Sequence, residues 1–438
     1  MVNSTKFAKQ ILKGEFILIS FLLTAIKIVF LLGFLILIHE GGHFLIAKLC
    51  KVRVNEFAIG FGPTIWKKQG KETKYALRLI PLGGFVNMLG EEERSEEEGS
   101  FSKARIPKRI AIVAAGGLVN IIFGVIVYFI LGASTGGYVS TTVDYAMEGY
   151  AAEQVGIQNN DKIIEINNKK IRLKSDLEDI LAETKGEEIK VTVERNGELL
   201  ALNVKPTEVI TKSIGIYLGT QDENISSEIK SLYPDSPAEE AGLQTGDIIT
   251  SIDGTDTEKN ANKVVELISN NTNEQIKITV NRDGKIIDFN ITPTESKAYY
   301  LGIVFLEAEN NFSNNVYYGF WDTVDFSLSI VDNLKNLFTG GVSVDQFMGP
   351  VGISTVVADT QSVYEFIYLL ALISLSLGVT NLLPFPPLDG GKIVILLIEA
   401  IRRKPLKENI EAGIQVAGFM LIIGLSLYIT YNDILRIF

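Results

Sequence analysis

The sequence is poor in histidine, in cysteine and in positive charge. Two histidines occur in 438 residues, four apart, at His39 and His43. The one cysteine, Cys50, has no partner for an internal disulfide, so any part outside the cytoplasm must fold on core packing alone. A net charge of −11 argues against nucleic acid as a partner, because phosphate binding needs a basic face. The composition, 47% hydrophobic and 21% charged, is too apolar for an ordinary soluble chain and too charged for a bare bundle of spans. It points to a membrane part joined to a soluble part, and the length allows about three domains.

Four apolar runs approach or exceed the roughly 20 residues that cross a bilayer core: 16–49, 110–133, 363–383 and 412–429. The first lacks a small-residue cleavage site after a short apolar region, so it reads as a span and not as a removable signal peptide. Basic residues crowd 50–109 (Lys51, Arg53, Lys67, Lys68, Lys71, Lys74) and the loop between spans three and four (Arg402, Arg403, Lys404, Lys407). Both segments should therefore face the cytoplasm, with 134–362 outside; Lys6, Lys9 and Lys13 pull the other way. The acidic run 91–98 reads as a solvated cytoplasmic loop.

The outer segment repeats itself. Residues 151–168 align without gaps to 237–254, with Ala, Glu, Gly, Gln, Asp, Ile and Ile recurring. Each copy continues into a helix-like stretch (173–184; 258–270) and two alternating strands. The strands turn at Asn196-Gly197 and Asp283-Gly284, where both positions favour φ > 0. Two small α+β domains in tandem follow from this period. Beyond them, 317–338 places Phe320, Trp321, Val324, Phe326 and Leu328 against Asp322, Asp325, Asp332 and Lys335. That pattern predicts an amphipathic helix on the membrane surface; the alternative is a helix packed on the second soluble domain.

The chemistry lies in His39-Glu40-Gly41-Gly42-His43, inside the first apolar run. On a helix, residues four apart share a face, so both imidazoles can hold one zinc ion. Glu40 stands beside them, where it can take a proton from an activated water. An ionisable residue within a span costs about 2.5–3.5 kcal/mol on insertion scales, which marks it as functional. The two glycines weaken the helix by about 1 kcal/mol each and allow another segment close approach. A catalytic zinc usually keeps three protein ligands and one open position. With no histidine left, the third must be a carboxylate or thiolate. Asp389, in the Pro- and Gly-broken stretch 381–391 after span three, is the leading candidate; Cys50, nearly two helical turns past His43, is the rival.

HEGGH in a first span, NLLPFPPLDGG after a third and a tandem repeat between spans two and three together resemble the site-2 protease family, peptidase M50. Within it the chain resembles the bacterial regulator-of-sigma-E protease type with tandem PDZ domains. IGFGP (59–63), IPLGGFVNMLGE (80–91), AAGGLVN (114–120) and GPVGI (349–353) also match. The resemblance covers nearly the whole chain. It implies a zinc-dependent intramembrane endopeptidase performing site-2 cleavage of single-span membrane proteins, either anti-sigma factors or remnant signal peptides. It also implies zinc on His39, His43 and Asp389, Glu40 as general base, and Asn381 on the substrate backbone or oxyanion. Residues 80–90, with Gly83, Gly84 and Phe85, would form a membrane-dipping hairpin offering an edge strand to substrate. Gly117 departs from the proline usual there, and should loosen the start of span two.

The expected architecture is a multi-pass α-helical membrane protein with a membrane-associated β-hairpin region and two α+β PDZ-like extracytoplasmic domains. Its parts are span one with HExxH (16–49), a cytoplasmic or membrane-dipping β region (50–109), span two (110–133) and the PDZ-like domains (137–212 and 213–296). A connector carrying the amphipathic helix (297–362), span three with NxxPxPxLDG (363–390), and a loop with span four (391–438) complete it. The expected setting is the bacterial cell membrane, with the active site toward the cytoplasm. Expected partners are transmembrane substrates unwound to a strand, the bilayer, and possible peptide C-termini at the PDZ-like domains. Neither repeat shows a clean peptide-binding fingerprint, so size exclusion with weak peptide binding is the favoured role. A catalytically silent PDZ scaffold or chaperone is the competing reading, against which the intact His39, Glu40, His43 and Asp389 argue. A transporter would explain neither HExxH nor the repeat.

Overall fold

The computed structural model describes residues 2–91, 93–134, 138–218, 226–233, 236–339, 344, 347–360 and 362–437, of which 2–21, 81–82, 338 and 436–437 are described by backbone alone. Parts of the expected segments 137–212, 213–296 and 297–362 therefore lie outside the described residues, as does Glu92 of the acidic run. Two compact units emerge, 1–138 with 309–438, and 139–308.

The first unit opens with helix α1 (Val2–Leu49), stopped where Lys51 turns to φ 62°. Strands β1 (Val54–Gln69) and β2 (Lys74–Met88) follow. Both bend, so the pair makes a small sheet of four segments. Residues 56–59 pair on one side with 84–87 and on the other with 74–77, while 64–69 pair with 74–78. Gly60 and Gly62, at φ +87° and +81°, make the bend in β1. This corrects the expected hairpin at 80–90. Gly84 and Phe85 belong to an outer segment of the sheet, and Gly83 is its bend, at φ +145° with the Phe61 ring where a side chain would stand.

Helix α2 (Ile106–Ser134) then runs through the unit. Ala47, Val52, Val54, Val86, Met88, Phe101, Ile112, Val113 and Leu396 form one buried cluster, which ties the sheet to the end of α1 and the start of α2.

In the second unit the order is β3 (Val139–Ala146), α3 (Ala151–Gln154), β4 (Lys162–Ile166), β5 (Lys169–Lys170), α4 (Lys174–Thr184), β6 (Ile189–Arg195), β7 (Glu198–Val204) and β8 (Thr207–Ser213). The second copy follows as β9 (Ile216–Leu218), β10 (Ile229–Leu232), α5 (Pro237–Glu240), β11 (Ile248–Ile252), β12 (Thr255–Asp256), α6 (Ala261–Ser269), β13 (Ile276–Arg282) and β14 (Lys285–Ile291). Last come β15 (Thr294–Tyr300) and β16 (Ile303–Glu307). Each domain buries its own apolar core, one around Ile163, Ile166, Val191 and Val193, the other around Ile249, Ile252, Ile278 and Val280. Both hairpins turn as the sequence predicts, with φ 53° and 84° at Asn196-Gly197 and 52° and 83° at Asp283-Gly284.

The division at 212 and 297 differs from the strand pairing. β16 pairs with β3, and β15 pairs with β8. The first PDZ-like domain is thus closed by a strand that follows the second, and Leu301, expected in the connector, is 2% exposed in the first core. The repeated Asp has a structural duty. Asp161 takes both Nε and Nη2 of Arg195 at 2.7 Å, and Asp247 takes the same pair from Arg282 at 2.7 Å. Each also caps its turn, through Gln158 N at 2.8 Å and Gln244 N at 2.9 Å.

Back in the first unit lie α7 (Phe312–Thr339), α8 (Pro350–Asp359), α9 (Val363–Asn381), α10 (Asp389–Arg402) and α11 (Glu408–Ile437). The stretch expected to be amphipathic forms α7 and packs on span two and the residues just after it: Phe312 meets Phe129 edge-on at 5.7 Å and Tyr318 stacks on Tyr138 at 5.9 Å. Among the described residues four helices are long and apolar enough to cross a membrane: Leu22–Leu49, Ile106–Ser134, Val363–Asn381 and Glu408–Leu435. Gly117 is no loose end. Its Cβ would fall 2.9 Å from Gly378 O, and that of Gly378 would fall 2.7 Å from Gly117 O. Such backbone-to-backbone contact between α2 and α9 requires small residues on both sides.

Candidate metal centre

His39 and His43 stand one turn apart on α1, ring centroids 4.9 Å apart. The next helix fits against them because it lacks side chains there. A Cβ on Gly42 would lie 2.6 Å from Ala115 O, and one on Gly116 would lie 2.7 Å from His39 Cε1. Of the two glycines in HEGGH, then, Gly42 serves close approach, whereas a Cβ on Gly41 would meet nothing within 4 Å. Helix α2 also orients a ring. His43 Nδ1 is 2.8 Å from the Ile112 carbonyl, which can only accept. The proton is therefore on Nδ1, and the Nε2 lone pair is left free to bind a metal.

Asp389 arrives from the other end of the chain. Helix α9 stops at Asn381 because Pro384, Pro386 and Pro387 cannot continue its hydrogen bonding. The chain crosses 382–388 irregularly, with a cis Pro386-Pro387 bond, and Asp389 is the first residue of α10. Its Oδ2 lies 3.3 Å from His39 Nε2 and 3.4 Å from His43 Nε2, and the two Nε2 atoms are 3.3 Å apart. The three side chains are 13%, 12% and 22% exposed.

These distances fit a metal better than they fit hydrogen bonds. Zinc–nitrogen and zinc–oxygen bonds of about 2.0–2.2 Å in a tetrahedron hold their ligand atoms about 3.3–3.5 Å apart. All three separations fall there. Asp389 Oδ2 is buried without a hydrogen-bond partner, as is His39 Nδ1, and an unsatisfied buried acceptor needs a reason. Among the described residues these three are the group of His, Cys, Asp or Glu side chains close enough to share an ion. Cys50 is not among them; it lies half-buried beside the apolar cluster at the end of α1.

The remaining expected site residues lie nearby in differing degree. Glu40 adjoins His39, and an ideal Cβ on Gly84 would stand 3.3 Å from Glu40 Cγ and 3.2 Å from Ile36 Cγ2. The outer strand thus passes directly over the helix that carries the motif. Phe85 is held by Arg78, whose guanidinium carbon is 4.9 Å from its ring centroid. Asn381 ends α9 and is half-buried. Two contributors escaped the sequence reading. Gly116 had a visible signal, the Gly-Gly pair in span two; the Ile112 carbonyl had none.

Two imidazoles and a carboxylate converging within a bundle of membrane-length helices define the class: a membrane-embedded metalloprotease. The chain belongs to peptidase family M50, whose profile matches residues 27–425. The putative zinc metalloprotease of Vibrio cholerae is 30% identical over 94% of this chain and 98% of its own length. The regulator of sigma-W protease RasP of Bacillus subtilis is 31% identical over 95% of this chain and its full length. The regulator of sigma E protease of Haemophilus influenzae is 28% identical over 95% and 100%. Among solved structures, the HtrA3 PDZ domain bound to a phage-derived ligand aligns to 21% of this chain and 93% of its own, at 22% identity and TM-score 0.18. The enzyme is a zinc metalloprotease of the site-2 type.

Proposed function

We propose that His39, His43 and Asp389 hold the zinc ion and that Glu40 is the general base for cleavage of single-span membrane proteins. The observation that carries this is the trio of donor separations at 3.3, 3.3 and 3.4 Å. An ion held there would supply Lewis acidity toward a water and the scissile carbonyl. Glu40 accepts the water's proton and returns it to the departing amine, a carboxylate role set by its place beside His39. Ile112 holds His43 in the tautomer that frees Nε2. Asn381, at the broken end of α9, is the candidate to bond the substrate backbone or oxyanion.

A transmembrane helix hides its carbonyls in internal hydrogen bonds. Cleavage needs it unwound, and an unwound segment in lipid needs a partner for its backbone. The strand at Gly83, Gly84 and Phe85 would supply that pairing beside Glu40. The sheet suits a membrane-dipping position, because Phe61, Ile65, Trp66, Leu79 and Ile80 are exposed. Anti-sigma factors and remnant signal peptides both have the single span this mode requires. The basic loops support an orientation with the active site toward the cytoplasm and the PDZ-like domains outside.

For those domains the peptide C-terminus reading gains support from a cleft of about 860 Å³ between α4 and the β15–β16 turn. Leu177, Leu181, Ile303 and Phe305 give it an apolar wall, and Lys185 gives it positive charge, Lys174 and Lys297 being paired with Glu178 at 3.1 Å and Glu208 at 2.7 Å. An apolar residue ending in a carboxylate matches both.

The decisive experiment is Glu40→Gln on a model single-span substrate, with zinc content measured in parallel. Near-total loss of cleavage with zinc retained is expected. Unchanged cleavage would reject Glu40 as the base. Asp389→Ala should lower zinc occupancy, and full occupancy in that variant would remove Asp389 from the ligand set.

A further inference from the structure

The acidic segment before α2 is not simply a solvated loop. It contributes to a buried stack centred on Phe101, which is 1% exposed. Two cations lie over its ring: Lys392 Nζ at 5.2 Å from the centroid and the Arg109 guanidinium carbon at 5.0 Å. Each has its own carboxylate, Lys392 Nζ at 2.7 Å from Glu91 Oε1 and Arg109 Nη1 at 3.0 Å from Glu399 Oε2. Glu399, 3% exposed, also accepts from Leu406 N at 2.8 Å and Arg94 Nη2 at 3.3 Å. The same Arg94 Nη2 reaches Leu406 O at 2.6 Å.

Ion pairs that are wholly or partly out of water are a poor way to gain stability, because desolvation consumes much of the attraction. What they provide is direction, and the helix receiving it is α10. Asp389 begins α10, Lys392 lies one turn on, and Glu399 lies near its end. The first turn is already seated, since a Cβ on Gly391 would come 2.5 Å from Pro386 N. A seat at one point leaves the helix free to turn about its axis. Side chains reach about 5 Å from a helix axis, so a turn of about 10° carries the Asp389 carboxyl nearly 1 Å. Metal–ligand distances tolerate about 0.2 Å. Anchors at Lys392 and Glu399 remove that freedom. Arg109 moreover sits on α2, one turn before the Ile112 carbonyl that fixes His43. One helix thereby sets the placement of both α10 and a histidine of α1.

We propose that Lys392, Arg109 and Glu399, packed about Phe101, are positioning residues that hold Asp389 within coordination reach of His39 and His43. The inference rests on Asp389 being a zinc ligand. The test uses the full chain in detergent, with zinc affinity read by competition against a chromophoric chelator for Glu399→Gln, Lys392→Met and Asp389→Ala. A ligand carried nearly 1 Å exceeds the roughly 0.2 Å that coordination tolerates, so zinc affinity should fall at least about tenfold in the first two variants. Cleavage of a single-span substrate should fall through kcat, with KM within about twofold. Lys392 is 20% exposed, so its replacement by methionine folds even where Glu399→Gln does not. Parental zinc affinity in either folded variant overturns the proposal, whatever its melting temperature. If Asp389→Ala keeps parental affinity, the ligand assignment fails instead.

Discussion

Replacing Gly116 by alanine puts one methyl group among the imidazoles of the metal centre. Built on the α2 backbone, that Cβ falls 2.7 Å from His39 Cε1 and 2.7 Å from His43 Cε1, and closer still to His43 Nε2. Ordinary contact begins at 3.4 Å and His43 Nε2 stands at 2.4 Å, so the rings must retreat by about 1.0 Å or the helices must part by as much. His43 cannot swing aside without breaking its 2.8 Å bond to Ile112. A retreat of that size is more than three times the roughly 0.2 Å that zinc coordination tolerates. Overpacking itself costs about 1–3 kcal/mol, which leaves the fold intact. Zinc affinity should therefore fall at least about tenfold, and cleavage by on the order of 10²-fold, the loss typical of a misplacement near 1 Å. Gly41→Ala is the internal control for zinc affinity, because its Cβ meets nothing within 4 Å and the substitution adds about 1 kcal/mol of helix propensity. Chelator competition on both purified variants reads the difference. Parental affinity in Gly116→Ala, or equal loss in both, would refute the reasoning.

Other outcomes follow from the second unit. Arg282→Ala strands Asp247, whose side chain is 1% exposed, at a cost of about 3 kcal/mol. Amide exchange in β11 and β13 should then speed by on the order of 10²-fold, and unchanged exchange would show that the pair is ornamental. Burial pushes the twin carboxylate Asp161 up, but the hydrogen bonds from Arg195 and Gln158 N outweigh it and hold the group below its ordinary 3.8. A lowered value means that the stabilisation is complete above the ordinary range and is lost as pH falls through the folded one. The urea midpoint of the first domain should hold steady down to about pH 4 and decline only below it; a decline beginning near pH 6 would assign the dependence to another group.

What the sequence made legible was whatever is local. HEGGH needs one helical turn, each hairpin needs two residues, and the four spans need only length. That Asp389 should stand beside the two histidines was accessible through chemistry, since a zinc site with two histidines lacks a ligand and the Pro-broken stretch after span three offers a carboxylate; the structure brings the three together. What stayed hidden was set by distant pairing. Arg195 and Arg282 lie 34 and 35 residues from their aspartates, and no local pattern marks them. Nor does any local signal announce that β16 returns to β3 across the whole second domain, because an apolar run such as Ile303–Glu307 serves either domain equally well. The four-segment sheet at 54–88 is hidden for a related reason: its bends fall at Gly60, Gly62 and Gly83 within two long strands, and the resemblance implied only a hairpin at 80–90. The acidic run 91–98 reads as solvated, since charge alone cannot reveal that Lys392 reaches Glu91 and Glu399 reaches Arg94 from the far end of the chain.

Lipid gives helices no hydrophobic reason to associate, so membrane bundles depend on close backbone approach and polar contacts. Here the same close approaches build the proposed metal centre. Gly42 admits the Ala115 carbonyl, Gly116 admits both imidazoles, Gly117 and Gly378 admit each other's carbonyls, and Gly391 admits the loop that delivers Asp389. The three donor atoms converge because of the spacing of α1, α2, α9 and α10, and that spacing is set by missing side chains. A ranking follows that a stability argument alone would not produce. Alanine at 42, 116, 117, 378 or 391 moves a helix that bears or braces a ligand, so it should reach the metal. Alanine at 41, 413 or 424 meets nothing within 4 Å, and should leave zinc affinity unchanged although it is the same substitution in the same bundle.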